Sequence, residues 1–89
     1  MPTVRFSESI QRHVECRLRE VDGDTIGAVL DRYFQDNPRA RGYVLDDQGR
    51  LRRHMAVFVD GHHISDRSGL TDAVAADAVI DLIQALSGG

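Results

Sequence analysis

The sequence contains no lysine, because all eleven of its basic residues are arginines. The chain therefore has no side-chain ε-amine that could accept an acyl group. Its single cysteine, Cys16, excludes an internal disulfide framework, and we expect a reducing, cytoplasmic environment. No apolar run approaches the ~20 residues that cross a bilayer, and the first residues lack the apolar stretch of a signal peptide. We therefore expect no membrane partner.

The 89 residues carry a formal net charge of −3 and correspond to one small domain. A net negative charge disfavours a general polyanion binder, so we expect no nucleic-acid partner. The sequence has no CxxC or HxxxH spacing, no GxSxG motif to support a Ser-His-Asp triad, and no nucleotide-binding loop. These absences argue against a metal site and against ATP chemistry within the chain itself.

The first 21 residues alternate between apolar and polar side chains, which is typical of half-buried strands. A first strand is predicted from Thr3 to Ser7, followed by a polar turn from Ser7 to Ser9. A second strand, from His13 to Val21, is predicted to return antiparallel to the first. The residues expected to face the core are Val4, Phe6, Val14, Cys16 and Leu18. Cys16 is therefore interpreted as a buried, inert thiol.

A change of period to 3.6 residues predicts one amphipathic helix from Thr25 to Asp36. Its core stripe consists of Ile26, Val29, Leu30, Tyr33 and Phe34. Asp24 or Thr25 is the expected N-cap. Asn37-Pro38 should end the helix, because proline disfavours the α conformation in the residue before it. Residues 39–42 are predicted to form a linker.

The second half of the chain is predicted to contain two adjacent strands joined by a tight turn. After a turn from Asp46 to Gly49, Arg50 to Val59 is predicted to be extended, and its second half, from Met55 onward, to be a buried central strand. Asp60-Gly61 is a two-residue hairpin signal that leads into a short strand from His62 to Ser65. The order of hairpin, helix and strands predicts an α+β fold in which one main helix crosses a mixed sheet.

Three segments carry a resemblance to a known family. They are Gly23 to Leu30, Leu51 to Ile64 with the run Val57-Phe58-Val59-Asp60-Gly61, and the terminal Leu86-Ser87-Gly88-Gly89. Over nearly its whole length the chain resembles the MoaD/ThiS family of ubiquitin-like β-grasp sulfur carriers. It is most similar to the carriers of cysteine biosynthesis. The resemblance implies a β-grasp domain over residues 1–86 and a mobile C-terminal diglycine tail over residues 87–89.

Pattern alone leaves residues 70–86 ambiguous between helix and strand. The resemblance implies a loop and then a central final strand, at about residues 78–86. Anchoring this strand on the terminal diglycine points Ile80 and Leu82 inward and Ile83 outward. Anchoring it on the aspartate upstream shifts the register by one residue and exchanges the two faces. The sequence alone does not decide between the two registers.

The resemblance implies that Gly89 supplies the reactive group. An E1-like enzyme would adenylate its carboxylate with MgATP bound by that enzyme, and a thiocarboxylate would then donate sulfur to a downstream biosynthetic enzyme. Gly88 and Gly89 lack Cβ atoms, so they suit passage through a narrow channel in the partner. The chain is then a protein cosubstrate, not an enzyme, and binds no cofactor itself. A zinc peptidase of the JAMM type, which trims such tails, is a further expected partner.

A carrier also needs a face that docks on its activating enzyme, and the resemblance implies an apolar patch on the sheet near the tail. By position, Phe58, His63 and Ile83 are assigned to this patch. Leu86 and Ser87 are assigned to the same partner contact because they lead into the tail. Phe58 can equally be interpreted as a core residue.

Basic residues cluster in one stretch of the sequence. The cluster consists of Arg50, Arg52, Arg53 and His54, with Arg39 and Arg41 upstream. One interpretation is a solvated edge strand that its charge protects against self-pairing. The other is a contact for an acidic partner surface or a phosphate.

Three other functions fit the same features. A ubiquitin-like modifier would join Gly89 to lysines of target proteins, although the chain's own lack of lysine forbids chains through side-chain amines. The small subunit of a molybdopterin-synthase-like complex would co-purify with a larger catalytic subunit. A plain interaction module would have no use for the terminal glycines. The metabolite that receives sulfur is open among cysteine, thiamine thiazole, molybdopterin and a specialised thioacid product.

Overall fold

The computed structural model describes residues 1–84 of the chain. This part contains five strands and three helices. In chain order they are β1 (Thr3–Phe6), α1 (Glu8–Gln11), β2 (Arg19–Glu20), α2 (Ile26–Gln35), α3 (Pro38–Val44), β3 (Met55–Val59), β4 (His62–His63) and β5 (Val79–Gln84). None of these described helices has the length and apolarity that crossing a membrane requires.

The strands form one mixed sheet in the order β2-β1-β5-β3-β4. β1 and β5 run parallel, while the other neighbouring pairs are antiparallel. β5 therefore lies at the centre of the sheet, as the resemblance implied. The longest helix, α2, buries its apolar stripe in the same core as the sheet. The predicted α+β fold, a ubiquitin-like β-grasp with one main helix across a mixed sheet, is confirmed.

The core lies between α2 and one face of the sheet. The five residues predicted for the helix stripe are all buried: Ile26, Val29, Leu30, Tyr33 and Phe34. From the sheet side, the alternation of β1 buries Val4 and Phe6, and the Phe6 ring lies 5.0 Å from the Tyr33 ring. The Thr25 hydroxyl accepts a hydrogen bond from the Ala28 N–H at 3.1 Å, so Thr25 is the N-cap.

The pairing of β5 decides which of its side chains face the core. Its parallel partner is β1, and Val4 lies beside Ile80 while Phe6 lies beside Leu82. Paired residues of neighbouring strands share a face, so Ile80 and Leu82 join the buried side and both are fully inaccessible. Ile83 is 38% exposed on the opposite face. The register anchored on the terminal diglycine is therefore confirmed.

The second predicted strand is mostly absent. Only Arg19–Glu20 pairs with β1, and the residues before it are irregular. Val14 and Cys16 are buried as predicted, but the prediction for Leu18 is wrong, because this side chain is 58% exposed. The backbone carbonyls here accept hydrogen bonds from side chains of the helical layer: Tyr33 Oη donates to Arg17 O at 2.6 Å, and Asn37 Nδ2 donates to Glu15 O at 2.7 Å.

Two connections predicted as irregular are helical. The polar turn expected at Ser7–Ser9 becomes α1, one helical turn that buries Ile10. The linker expected at residues 39–42 lies within α3, whose N-cap is Asn37 and whose first residue is Pro38. Asn-Pro therefore ends α2 and starts α3 at once, since proline is well suited to the first position of a helix.

The third strand is shorter than predicted; the turn after it is as predicted, but the strand that follows ends at His63 and not at Ser65. Residues 50–54 are not a strand; of these, Leu51 makes an isolated bridge to Leu45, and β3 begins at Met55. Asp60 and Gly61 have φ angles of 49° and 86°, which is the left-handed conformation of a type I′ turn. This turn joins β3 to β4.

Candidate functional site

The sheet face opposite the core brings together the three described residues that were assigned to a docking patch. Phe58 on β3 is paired with His63 on β4, and their ring centroids are 4.2 Å apart. Ile83 on β5 is paired with Ala56 on β3, so it lies on the same face as Phe58. Phe58 is half-buried and is absent from the core cluster, so the alternative interpretation of Phe58 as a core residue is wrong.

An ion pair borders this patch. Arg5 on β1 donates two hydrogen bonds to Asp81 on β5, from Nε at 2.7 Å and from Nη2 at 2.9 Å. The hydrogen bond and the charge of Asp81 raise the pKa of the Arg5 guanidinium. Asp81 is in turn paired with Phe58, so a row runs across four strands from a charged pair to two rings in contact at a tilt of 39°.

This row has the composition of a protein-binding surface. An apolar centre with a polar border is typical of protein–protein contacts, in which aromatic side chains are enriched. Arg5 and Asp81 were not identified from the sequence as part of it. Their outward positions follow from strand alternation, but their contact requires the parallel pairing of the first and last strands, which no local pattern shows.

Two residues from outside the sheet hold the end of β5, and a third packs against one of them. Tyr43 Oη on α3 donates a hydrogen bond to Gln84 Oε1 at 2.9 Å. The Gln84 N–H donates to Ser7 Oγ at 3.4 Å. The His13 ring stacks on the Tyr43 ring at a centroid distance of 5.6 Å. The last described residue of the chain is therefore fixed by α3 on one side and by the start of α1 on the other.

Four residues assigned from the sequence lie outside the described residues. They are Leu86, Ser87, Gly88 and Gly89. Their assignment to a partner contact and to a reactive terminus stays a prediction, as does the boundary between a domain at 1–86 and a tail at 87–89.

Cys16 has the properties of a structural thiol. Its side chain is buried, and Sγ donates to Val14 O at 3.4 Å. Burial raises the pKa of Cys16 to about 11, so very little of it is thiolate at neutral pH. Within residues 1–84, no group of three or more His, Cys, Asp or Glu side chains is arranged to hold a metal ion.

Comparison with known proteins places this fold in a family. The model of the ThiS family matches residues 7–89. SAMP1 from Haloferax volcanii is 27% identical, with a TM-score of 0.77 over 99% of this chain and 98% of that one. CysO from Mycobacterium tuberculosis is 21% identical, with a TM-score of 0.80 over 97% of this chain and 100% of that one.

A chain of the BexX/CysO complex from Amycolatopsis orientalis is 22% identical, with a TM-score of 0.76 over 100% of both chains. No curated protein sequence matches this chain significantly. The family match covers all but the first six residues, and the β-grasp sheet agrees with it. The chain therefore belongs to the ThiS family, within the ubiquitin-like sulfur carriers of the MoaD/ThiS type.

Proposed function

We propose that this chain carries sulfur on the carboxyl group of Gly89. An E1-like enzyme adenylates that group with MgATP, a thiocarboxylate replaces the adenylate, and a downstream biosynthetic enzyme takes the sulfur. The observation that carries the proposal is the ThiS family match, which runs through the diglycine to Gly89. The chain acts in this scheme as a protein cosubstrate, and the nucleotide belongs to its partner.

The chemistry explains why the carrier needs an activating partner. A carboxylate is a poor electrophile, so a carboxylate oxygen must first attack the α-phosphate of ATP and release pyrophosphate. Sulfide bound in the partner's site then attacks the acyl carbon and displaces AMP, and loss of its proton leaves the thiocarboxylate. Both steps take place in the partner's active site, and glycine fits this requirement because it lacks a Cβ atom that would obstruct a narrow channel.

The outer sheet face supports the docking half of the proposal. Phe58, His63 and Ile83 form an apolar patch on the strands beside and including β5, the strand that leads toward Gly89. Binding there would place the chain end next to the partner's active site. The ring pair of Phe58 and His63 supplies a rigid surface with little side-chain entropy to lose on binding.

Intact-mass spectrometry tests the proposal. The purified chain is incubated with the E1-like enzyme encoded in the same genome, ATP and a sulfide source. We expect a mass gain equal to the difference between sulfur and oxygen, located in the C-terminal peptide. Deleting Gly88 and Gly89 should abolish the gain without changing the urea midpoint of the domain. Absence of both acyl-adenylate and thiocarboxylate in the wild type would contradict the proposal.

Docking is tested separately by Phe58→Ala. This substitution should weaken association with the enzyme by about tenfold or more, as loss of an aromatic anchor does at a protein interface. Leu18→Ala is the matched control, because Leu18 is also an exposed apolar residue but lies outside the patch. Equal affinities of the two variants would assign docking to another surface.

A second candidate function is protein modification. The observation in its favour is the likeness to a structure named small archaeal modifier protein 1, which is 25% identical over 96% of this chain. In that case Gly89 forms an amide with lysines of other proteins. Expression of the chain in its native cells, followed by tryptic proteomics for lysines that carry residues 68–89, separates the two functions, because Arg67 is the last tryptic site and a carrier leaves no such remnant.

A further inference from the structure

A groove of about 620 Å³ on the surface is strongly basic. We call it the basic groove; its charged and titratable residues are Asp46, Arg50, Arg52, Arg53, His54 and Arg67. Four arginines against one carboxylate give it a formal net charge of +3, in a chain whose total is −3. The groove contains the main part of the cluster predicted from the sequence, residues 50 and 52–54, and adds Arg67, whereas Arg39 lies in a different cavity.

Two of the groove's arginines are fixed by the backbone. Arg52 Nε donates to Gly42 O at 3.0 Å, and Arg67 Nη2 donates to Arg52 O at 3.0 Å. Both residues are nevertheless exposed. Arg50 is already paired with Asp46 at 3.2 Å, whereas Arg53 and His54 make no side-chain hydrogen bond to any described residue. The groove therefore presents prearranged donors, and less side-chain entropy is lost when an anion binds.

The groove lies beside the point at which β5 ends. Arg52 and His54 also line a smaller cavity, of about 310 Å³, together with Met55 and Gln84. Met55 and Gln84 are paired across β3 and β5. The basic groove and the last described residue of β5 are therefore neighbours on the surface.

We propose that the basic groove binds a cluster of carboxylates at the mouth of the partner pocket that receives the chain terminus. This inference rests on the proposed function. Guanidinium groups pair with carboxylates through two parallel hydrogen bonds, which gives orientation as well as attraction. A protein surface fits better than a nucleic acid, because the fourteen acidic residues of the chain outnumber its basic ones and repel an extended polyanion.

Association kinetics with the E1-like enzyme of the same genome test the groove. Arg53→Glu is compared with Arg32→Glu, which makes the same change in net charge on α2, outside the groove. At about 0.05 M salt we expect Arg53→Glu to slow association about tenfold relative to the control, because charge complementarity acts mainly on the encounter rate. At about 0.5 M salt the difference should disappear through screening. Both residues are exposed, and unchanged urea midpoints would confirm that both variants are folded.

The outcomes separate this inference from the proposed function. Normal adenylation of the wild type with equal association rates for the two variants overturns the role of the groove alone. Association that depends on Arg53 without any adenylation overturns the proposed function alone. Binding of an RNA oligonucleotide that Arg53→Glu abolishes, with unchanged association to the enzyme, assigns the groove to nucleic acid and overturns the inference.

Discussion

Leu82 and Ile83 are neighbours on β5, yet their side chains face opposite sides of the sheet. Leu82 is fully buried between Phe6 on β1 and Val57 on β3, whereas Ile83 is 38% exposed. Replacing each by alanine removes a similar apolar volume from adjacent positions of one strand. The two variants therefore compare the buried and the exposed face of the sheet directly.

The two costs should differ by about 2 kcal/mol in the free energy of unfolding. Leu82→Ala leaves a cavity in a closed core, and truncations of this kind cost about 3 kcal/mol. Complete burial of an isoleucine contributes about 1.5–3 kcal/mol. Ile83 is only partly buried and its removal leaves no cavity, so we expect Ile83→Ala to cost about 1 kcal/mol.

Urea denaturation followed by far-UV circular dichroism measures both costs. With a slope of about 1 kcal/mol per molar urea, the midpoints should fall by about 3 M and about 1 M. If Leu82→Ala does not fold, Leu82→Met gives a foldable comparison, because it nearly conserves volume and costs less than about 1.5 kcal/mol. Equal losses, or a larger loss for Ile83→Ala, would refute the register of β5 and favour the register shifted by one residue.

Four further predictions concern glycine and cysteine positions. A Cβ on Gly23, where φ is +150°, would lie 2.7 Å from Val29 Cγ2, so Gly23→Ala should cost about 2 kcal/mol in urea denaturation. Gly42→Ala should raise the free energy of unfolding by about 0.5–1 kcal/mol, because none of residues 1–84 packs within 4 Å of the added Cβ and alanine favours α3; a loss of stability there would contradict the helix. Cys16, with a pKa raised from 9.0 to about 11, should react with Ellman's reagent at pH 8 about 100-fold more slowly than in guanidinium. Because its pKa is higher in the folded than in the unfolded chain, the stability that Cys16 contributes is complete below pH 9 and is lost as the pH rises toward 11; a Cys16→Ala variant should lack this alkaline component.

The elements predicted correctly are those whose stability is local. The apolar period of α2, its Thr25 cap and the Asp60-Gly61 turn each depend on residues within a few positions of one another. The alternation of β1 indicates which side chains face the core, whichever strand lies beside it. These features could be predicted because helix capping, turn conformation and amphipathic period depend on residues that are close together in the sequence.

The predictions of secondary structure were wrong at segments whose hydrogen bonds or packing come from residues distant in the sequence. The strand pattern before β2 is interrupted because Tyr33 and Asn37 supply the hydrogen bonds that a neighbouring strand would have supplied. The stretch after Pro38 has no marked apolar period, yet it is helical and buries Ala40 and Val44. The contact of Tyr43 with Gln84 joins residues 41 positions apart and follows only once α3 is formed.

The candidate site likewise combines features that the sequence predicted with features that only the tertiary structure shows. The family resemblance, which residue order and the terminal motif carry, was enough to predict the β-grasp fold and to assign Phe58, His63 and Ile83 to an outer patch, although it left the facing of Ile83 open. The register of β5, the Arg5–Asp81 pair and the assembly of the basic groove come from the parallel pairing of β1 with β5 and from loops brought together in space. Such pairings depend on the packing energy of the whole domain, and the sequence of one segment does not indicate which distant segment pairs with it.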